Sequence, residues 1–90
     1  MPRRQTKTRE FRSSARTAPG VTATLKRLGR RIRELRRQAD LTQEAAASAA
    51  KIDAKHLQAV EAGATNATIA TLIGIARALG VRLADLVEGS

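Results

Sequence analysis

Apolar side chains recur at steps of three and four residues over most of the chain, and this helical period is what most constrains the fold. The pattern is clearest in residues 24–38, where its members are Leu25, Leu28, Ile32 and Leu35. A stripe spaced in this way lies along one face of an amphipathic helix. No segment alternates between apolar and polar residues for long enough to form a strand. The sequence therefore predicts an all-α fold.

Capping residues divide the pattern into five helices. Thr42, Asp53 and Thr68 are residue types that favour helix N-caps. Gly63 and Gly80 can adopt the left-handed conformation that ends a helix. Together these signals predict helices over residues 24–38, 43–49, 54–62, 69–79 and 83–88. The second and third helices are short and only a few residues apart, so they must cross steeply, which is the helix-turn-helix geometry.

The first 23 residues differ in composition from the rest. They contain Pro, Gly and several Ser and Thr, and Phe11 and Val21 are their large apolar side chains. Their six cations are Arg3, Arg4, Lys7, Arg9, Arg12 and Arg16. Such a segment buries too little apolar surface to offset the chain entropy lost on folding. We therefore predict a flexible basic arm over residues 1–23 and one folded domain over residues 24–90.

The chain as a whole is strongly basic. Its 17 Lys and Arg against 8 Asp and Glu give a formal net charge of +9 at pH 7, which attracts polyanions such as nucleic acid or an anionic membrane. No apolar run is long enough to span a bilayer, and the basic N-terminus lacks the apolar stretch of a signal peptide. We predict a cytoplasmic location without membrane association. One Phe and no Trp or Tyr also argue against single-strand binding, which uses aromatic platforms.

Side chains suited to catalysis or metal binding are scarce. The chain has no Cys, and His56 is its only His. The carboxylate pairs that can be drawn, such as Asp53 with Glu61, lie in no supporting motif. We therefore expect no enzymatic activity, no metal and no cofactor, and we interpret His56 as an exposed side chain rather than a pH switch.

An ordered series of motifs runs from Leu28 to Val87. It contains LGRRIRELR at residues 28–36, LTQE at 41–44 and TLIGIARALGV at 71–81. Its single matching positions are Ala47, Leu57, Val60, Glu61, Gly63, Leu83 and Leu86. In these positions the chain resembles the Cro and phage-repressor type of helix-turn-helix regulators. The resemblance implies a five-helix domain like that of lambda repressor, a homodimer, and regulation of transcription by binding a two-fold operator in double-stranded DNA.

The resemblance also implies roles for individual residues. Thr42, which caps the second helix, and Gln43 would both bind DNA, and Gln43 would bind a phosphate and brace the recognition helix. That helix would present Ala54, Lys55 and Ala59 to base edges, where Lys55 can donate to guanine and the alanines offer apolar contact only. Residues near the sugar-phosphate backbone would be His56, Gln58 and Asn66. A partly buried salt bridge between Arg36 and Glu61 would join the first and third helices.

Three departures from the family pattern affect the expected details. Lys51 stands where the family usually has glycine in a left-handed turn, so we expect a slightly different turn. Ala45 and Ala46 replace the usual Glu and Leu, which removes half of the Thr42 capping box and shrinks the core. Ala67 replaces a common proline, which leaves the loop before the fourth helix less rigid.

Several interpretations stay open at this point. Leu83, Leu86 and Val87 either complete the core or, as we favour, contribute to a dimer interface. The arginines of the first helix, apart from Arg36, are interpreted as a solvated face. The arm is either idle or follows DNA in the minor groove or along phosphates. Phage repressor, restriction-modification controller and toxin-antitoxin antidote remain candidates. The alternative from another class is an interaction module whose arm binds a toxin, another protein or RNA.

Overall fold

The computed structural model describes residues 19–88 of the chain. Within that range it contains five helices and no strand. The helices are α1 (Val21–Gln38), α2 (Gln43–Ala50), α3 (Ala54–Glu61), α4 (Ile69–Leu79) and α5 (Leu83–Glu88). The all-α class and the number and order of the helices are thus confirmed, and α2 to α5 begin and end within one residue of the predicted positions.

The first helix begins at Val21, three residues before the predicted start at Thr24. Gly20 precedes it in the left-handed conformation, and the Gly20 carbonyl accepts a hydrogen bond of 2.9 Å from the Thr24 N–H. Val21 is half-buried and lies four residues before Leu25, so it extends the apolar face of α1. Residues 21–23, which we assigned to the arm, are therefore helical. The predicted arm cations and Phe11 lie outside the described residues.

Helices α1 to α4 all end in the same backbone motif. In each, a left-handed residue follows the last turn, and its own N–H and the N–H of the next residue donate hydrogen bonds to carbonyls of that turn. The left-handed residues are Asp40, Lys51, Gly63 and Gly80. This is the Schellman arrangement, which satisfies carbonyls that a helix end leaves without partners. Two of the four positions thus hold a residue with a Cβ.

The core is shared by all five helices. Its fully buried large side chains are Ile32 of α1, Leu57 of α3, Ile75 of α4 and Leu86 of α5. Helix α2 contributes the small buried residues Ala46, Ala47 and Ala50 instead. These alanines let α2 lie close to α4, where a Cβ added at Gly74 would stand 3.0 Å from the Ala50 carbonyl oxygen. The small alanine side chains therefore fill less of the core but allow α2 and α4 to pack closely.

Helix α1 crosses α3 at very short range. A Cβ at Gly29 would collide with the carbonyl oxygen of Glu61 and lie 2.5 Å from that of Val60. One turn closer to the start of α1, the Cα of Lys26 would lie 2.8 Å from a Cβ added at Gly63, just after α3. Only glycine fits at these two positions, and the contact fixes α3 against the middle of α1.

The C-terminal helix corrects one of the expected interface residues. Leu86 is 0% exposed within the single chain, so it belongs to the core and is not available to a second subunit. Leu83 is half-buried against the core, whereas Val87 is 49% exposed. A six-residue helix turns Leu86 and Val87 to different sides because adjacent residues are 100° apart. Arg31 Nε donates to the Asp85 carbonyl at 3.1 Å and ties α5 to α1.

Candidate nucleic-acid interface

The start of α2 is built by Thr42. Its backbone is extended, and its hydroxyl oxygen accepts a hydrogen bond of 3.0 Å from the Ala45 N–H. Ala45 has no carboxylate with which to complete a capping box, as the sequence indicated. Glu44 in the first turn interacts favourably with the positive end of the helix dipole. Thr42 is exposed here, while the neighbouring Gln43 is half-buried.

The turn between α2 and α3 keeps the left-handed geometry of a glycine although Lys51 occupies it. Lys51 has φ 61° and ψ 42°, and its N–H bonds to the Ser48 carbonyl at 3.1 Å. The Ile52 N–H bonds to the Ala47 carbonyl at 3.0 Å, and Ile52 packs against the core. The expectation of a different turn was therefore wrong. The hydrogen bonds and the buried Ile52 hold Lys51 in a conformation that it would not prefer by itself.

Helix α3 has one face in the core and one in solvent. Leu57, Val60 and Glu61 are buried on the inner face. On the outer side, Lys55 and Gln58 are exposed and Ala59 is half-buried. His56 is half-buried at the edge, which differs from the exposed position that we expected. Ala54 packs partly against the core, so it offers less surface to a ligand than the resemblance implies.

A buried polar network holds the end of α3. Arg36 Nε donates to Glu61 Oε2 at 2.6 Å, and a second guanidinium nitrogen of Arg36 donates to Glu61 Oε1 at 3.1 Å. The third guanidinium nitrogen donates to the Leu41 carbonyl at 2.8 Å. Gln43 Nε2 donates to Glu61 Oε1 at 3.0 Å. The two ionic side chains are only 10% and 3% exposed, and this bidentate pair is well partnered, as a buried charge requires.

The network joins α1, the start of α2 and the end of α3 in one unit. It couples the orientation of Gln43 to that of α3, because both depend on the Glu61 carboxylate. The Gln43 amide has a second N–H and an oxygen that can face a ligand. The hydrogen bond between Gln43 and Glu61 was not predicted as such, since residues 18 positions apart give no periodic signal.

The loop after α3 lies beside the start of α1. Asn66 is exposed there and lines a shallow cleft of about 430 Å³ together with Pro19, Val21 and Leu25. Pro19, the first described residue, therefore lies next to this loop. Among residues 19–88, no group of three or more His, Asp or Glu side chains is placed to hold a metal ion. No helix in the same range is long and apolar enough to cross a membrane.

The predicted site residues thus fall on three adjoining elements. The start of α2 holds Thr42 and Gln43, helix α3 holds Lys55 and its neighbours, and the next loop holds Asn66. Sequence reasoning missed Asp40 as a left-handed helix end and did not recognise why residue 29 must be glycine. Gly29 lies seven residues before Arg36, on the face of α1 that meets α3, and that spacing was the available signal.

In the helix-turn-helix class a tight turn joins two short helices, and the second helix packs one face against the core and leaves the other face exposed. Helices α2 and α3 have this arrangement. A family model described as "Helix-turn-helix" matches residues 32–86. The chain belongs to the helix-turn-helix family. The resemblance stated from the sequence is thereby confirmed, and with it the prediction of a DNA-binding type of regulator rather than a member of an enzyme family.

The chain is similar to known regulatory proteins. The HTH-type transcriptional regulator DdrOP3 of Deinococcus deserti is 38% identical over 63 residues, which are 70% of this chain. The match spans 49% of that curated relative, about half its length. The crystal structure of the restriction-modification controller protein C.AhdI from Aeromonas hydrophila superposes with a TM-score of 0.70 at 33% identity. This superposition covers 71% of the present chain and 97% of the controller chain.

Proposed function

We propose that the chain is a transcription regulator that binds a specific site in double-stranded DNA by inserting α3 into the major groove. The observation that carries the proposal is the arrangement of α3, whose inner face is locked by Glu61 while Lys55 and Gln58 stay exposed. Similarity to a transcriptional regulator and to a restriction-modification controller supports it. The cytoplasm, where the DNA lies, is the location that goes with this function, and no catalytic role is part of it.

Contacts within the site divide into two kinds. Lys55 is the only cation on α3, and it can donate to guanine O6 or N7 in the major groove. Ala59 and the partly covered Ala54 offer apolar contact alone. Gln43, His56, Gln58 and Asn66 are proposed to contact the sugar-phosphate backbone, where they fix the register without reading the sequence. Direct reading of bases is therefore sparse, and backbone contacts carry a large share of the affinity.

A homodimer is proposed on the exposed apolar side chains of α4 and α5. Ile69 is 62% exposed, Ile73 is 42% exposed and Val87 is 49% exposed. Ile69 and Ile73 lie one helical turn apart on the same face of α4. Val87 retains the interface role expected from the sequence, whereas Leu86 does not. A two-fold dimer would place two copies of α3 about one turn of DNA apart.

The predicted arm is proposed to reach DNA as well. Pro19 shares a cleft with Asn66, in the loop assigned to the DNA backbone, and the six arm cations precede Pro19 in the sequence. Deleting residues 1–18 removes six cations and one carboxylate. The slope of log affinity against log salt should then become less steep by several units, since each phosphate contact contributes about 0.9 to it. An unchanged slope would show that the arm does not touch DNA.

The proposed function is tested by selecting binding sites from random duplexes with the full chain. Fluorescence anisotropy then compares a selected duplex with a scrambled one over a range of salt concentrations. We expect a two-fold symmetric site and an affinity ratio of at least about 1,000, which is the lower end for specific DNA binders. Equal affinity for the two duplexes would overturn the proposal. Tighter binding to RNA or to an acidic protein would favour the interaction module instead.

A further inference from the structure

A second basic surface lies on α1, outside the site described above. Lys26, Arg30, Arg33 and Arg37 follow one another at steps of four, three and four residues. Residues so spaced share one face of a helix. All four side chains are exposed. None of them forms an ion pair within 4.0 Å with a carboxylate of residues 19–88, although Glu34 shares a surface cleft with three of them. We name these four residues the α1 basic stripe.

The stripe borders the side of α1 that packs on α3. Gly29, which touches the end of α3, lies three residues after Lys26 and four before Arg33. Arg36, which binds Glu61, lies three residues after Arg33. The opposite side of α1 is occupied by Arg31, which donates to Asp85 of α5. The stripe therefore runs alongside the recognition helix rather than on the far side of the molecule.

Both ends of the stripe reach elements assigned to the DNA backbone. At one end, Lys26 lies against Gly63, where the loop that holds Asn66 begins. At the other end, Arg37 lines a cleft of about 250 Å³ together with Thr42, the capping residue of α2. A second cleft of about 230 Å³ joins Arg37 to Arg30 and Arg33. The basic surface is thus continuous between the two ends of the proposed site.

We propose that the α1 basic stripe is a phosphate-binding track that lies along one DNA strand beside the groove that α3 occupies. This inference rests on the proposed function. Lys26 and Arg37 are separated by eleven residue steps, which extend over about 16 Å of helix. Phosphates are spaced by about 3.4 Å along the axis in each strand and by more along the winding strand itself, so the stripe can face a short run of successive phosphates. Guanidinium groups suit this ligand because they bind phosphate oxygens through two parallel N–H donors.

A phosphate track would also supply affinity that the sparse base contacts of α3 do not provide. Its contribution is independent of sequence, so it raises the affinity for all duplexes by the same factor and leaves the ratio between sequences unchanged. The stripe then has a function other than that of the solvated face interpreted from the sequence. Removing the stripe should therefore change how affinity depends on salt and should leave the affinity ratio between sequences unchanged.

The test is a charge-removing double variant in the full chain, Arg30→Gln with Arg33→Gln. Both positions are exposed on a helix that glutamine also favours, so the fold is retained. We expect the slope of log affinity against log salt to fall by about 1.8, for the selected and the scrambled duplex alike. If affinities converge at 1 M salt, this slope lowers binding by roughly 60-fold at 0.1 M salt.

Two further variants separate a track from a general effect of charge. Arg27→Gln with Arg77→Gln removes the same charge from two exposed positions outside the stripe, and it should change the slope by less than half as much. Arg30→Lys with Arg33→Lys keeps the cations and should keep the slope. Equal slope losses in the two glutamine variants, or no loss in the stripe variant, would overturn the proposal.

These outcomes are distinct from those that test the proposed function. If the unaltered chain bound selected and scrambled duplexes equally, specific regulation would fail. A slope loss confined to the stripe variant would still establish the phosphate track in that case. If specificity held but the stripe variant matched the control, the track alone would fail.

Discussion

At the turn between α2 and α3, Lys51 holds a left-handed backbone that costs a residue with a Cβ roughly 1 kcal/mol. The Lys51→Gly variant removes this cost, although the greater freedom of glycine in the unfolded chain offsets part of the gain. We therefore expect the unfolding free energy to rise by up to about 1 kcal/mol. Urea denaturation followed by circular dichroism measures it. Ala49→Gly, in the exposed helical part of α2, is the control and should lose about 0.5–1 kcal/mol. A loss at both positions would contradict the assigned turn.

Lys55 and Gln43 should differ in what they do to DNA binding. Lys55→Ala removes an exposed donor, so we expect a loss of about 1–3 kcal/mol in discrimination at one base pair and no change in folding stability. Gln43→Ala should weaken all duplexes alike. It should also lower the unfolding free energy by about 1 kcal/mol, because Glu61 Oε1 loses one of its hydrogen-bond donors.

Binding to a panel of single-base variants of the selected site, with thermal unfolding of each protein variant, separates these two roles. If Gln43→Ala changed the preference at one base pair, or if Lys55→Ala weakened every duplex equally, the division between base and backbone contacts would be wrong.

Individual residues show where sequence reasoning succeeds and where it stops. Thr42 and Thr68 were predicted as N-caps because capping depends on a side chain and the residues next to it. The left-handed Asp40 and the need for glycine at position 29 depend on contacts with residues distant in the chain. The pairing of Arg36 with Glu61, 25 positions apart, came from resemblance to a family and not from spacing.

At the scale of helices, boundaries were predictable where caps and periodicity agree, as in α4 between Thr68 and Gly80. The start of α1 was less predictable, because its apolar face continues to Val21 through a segment that resembles a linker in composition. Helix α5 is too short for periodicity to decide which of Leu86 and Val87 is buried. Packing against α1 and α4 decides it, and that information is not local.

Helix α5 has a cap that depends on pH. Asp85 accepts a hydrogen bond of 2.8 Å from the Arg82 N–H at the start of the helix, and its other oxygen binds the Arg82 guanidinium at 3.1 Å. The side-chain hydrogen bond from Arg82, followed by the backbone one, lowers the pKa of Asp85 below its ordinary value. Because the folded pKa is the lower one, the stabilisation is present above the unfolded pKa. It is lost as the pH falls through the folded value.

We expect the Asp85 carboxyl carbon, followed by NMR, to titrate below the ordinary range for aspartate. The Arg82→Ala variant removes the guanidinium but keeps the backbone donor, so it should move the midpoint only part of the way back. A midpoint at the ordinary aspartate value in the unaltered chain would show that this cap is not formed in solution. A lowered midpoint that Arg82→Ala leaves in place would show that the guanidinium does not contribute to it.

At the scale of the whole molecule, the placement of exposed apolar residues argues for two copies acting together. In the proposed complex each copy would read few bases, and a two-fold arrangement would double every contact and set the spacing of the half-sites. Linking two weak binders raises the effective concentration of the second to the millimolar range. A dimer would therefore compensate for the sparse reading of bases by each copy of α3.

The dimer is tested by placing charges on the apolar surface, with Ile73→Lys and Val87→Lys combined. Burying an apolar side chain of this size stabilises by about 1.5–3 kcal/mol, and a two-fold interface contains each position twice. We expect the dimer dissociation constant to rise by at least about 100-fold in sedimentation experiments. Affinity for the complete operator should fall toward that for a half-site, whereas affinity for the half-site should not change.

Ala49→Lys, on the exposed side of α2, adds a charge outside this surface and should leave the sedimentation of the dimer unchanged. If the double variant remained as dimeric as the unaltered chain, the contact would lie on another face. If the unaltered chain sedimented as a monomer and still bound the complete operator no more tightly than a half-site, α3 would have to read its site alone. The sparse contacts of Lys55 and Ala59 would then need support from the α1 basic stripe and the arm.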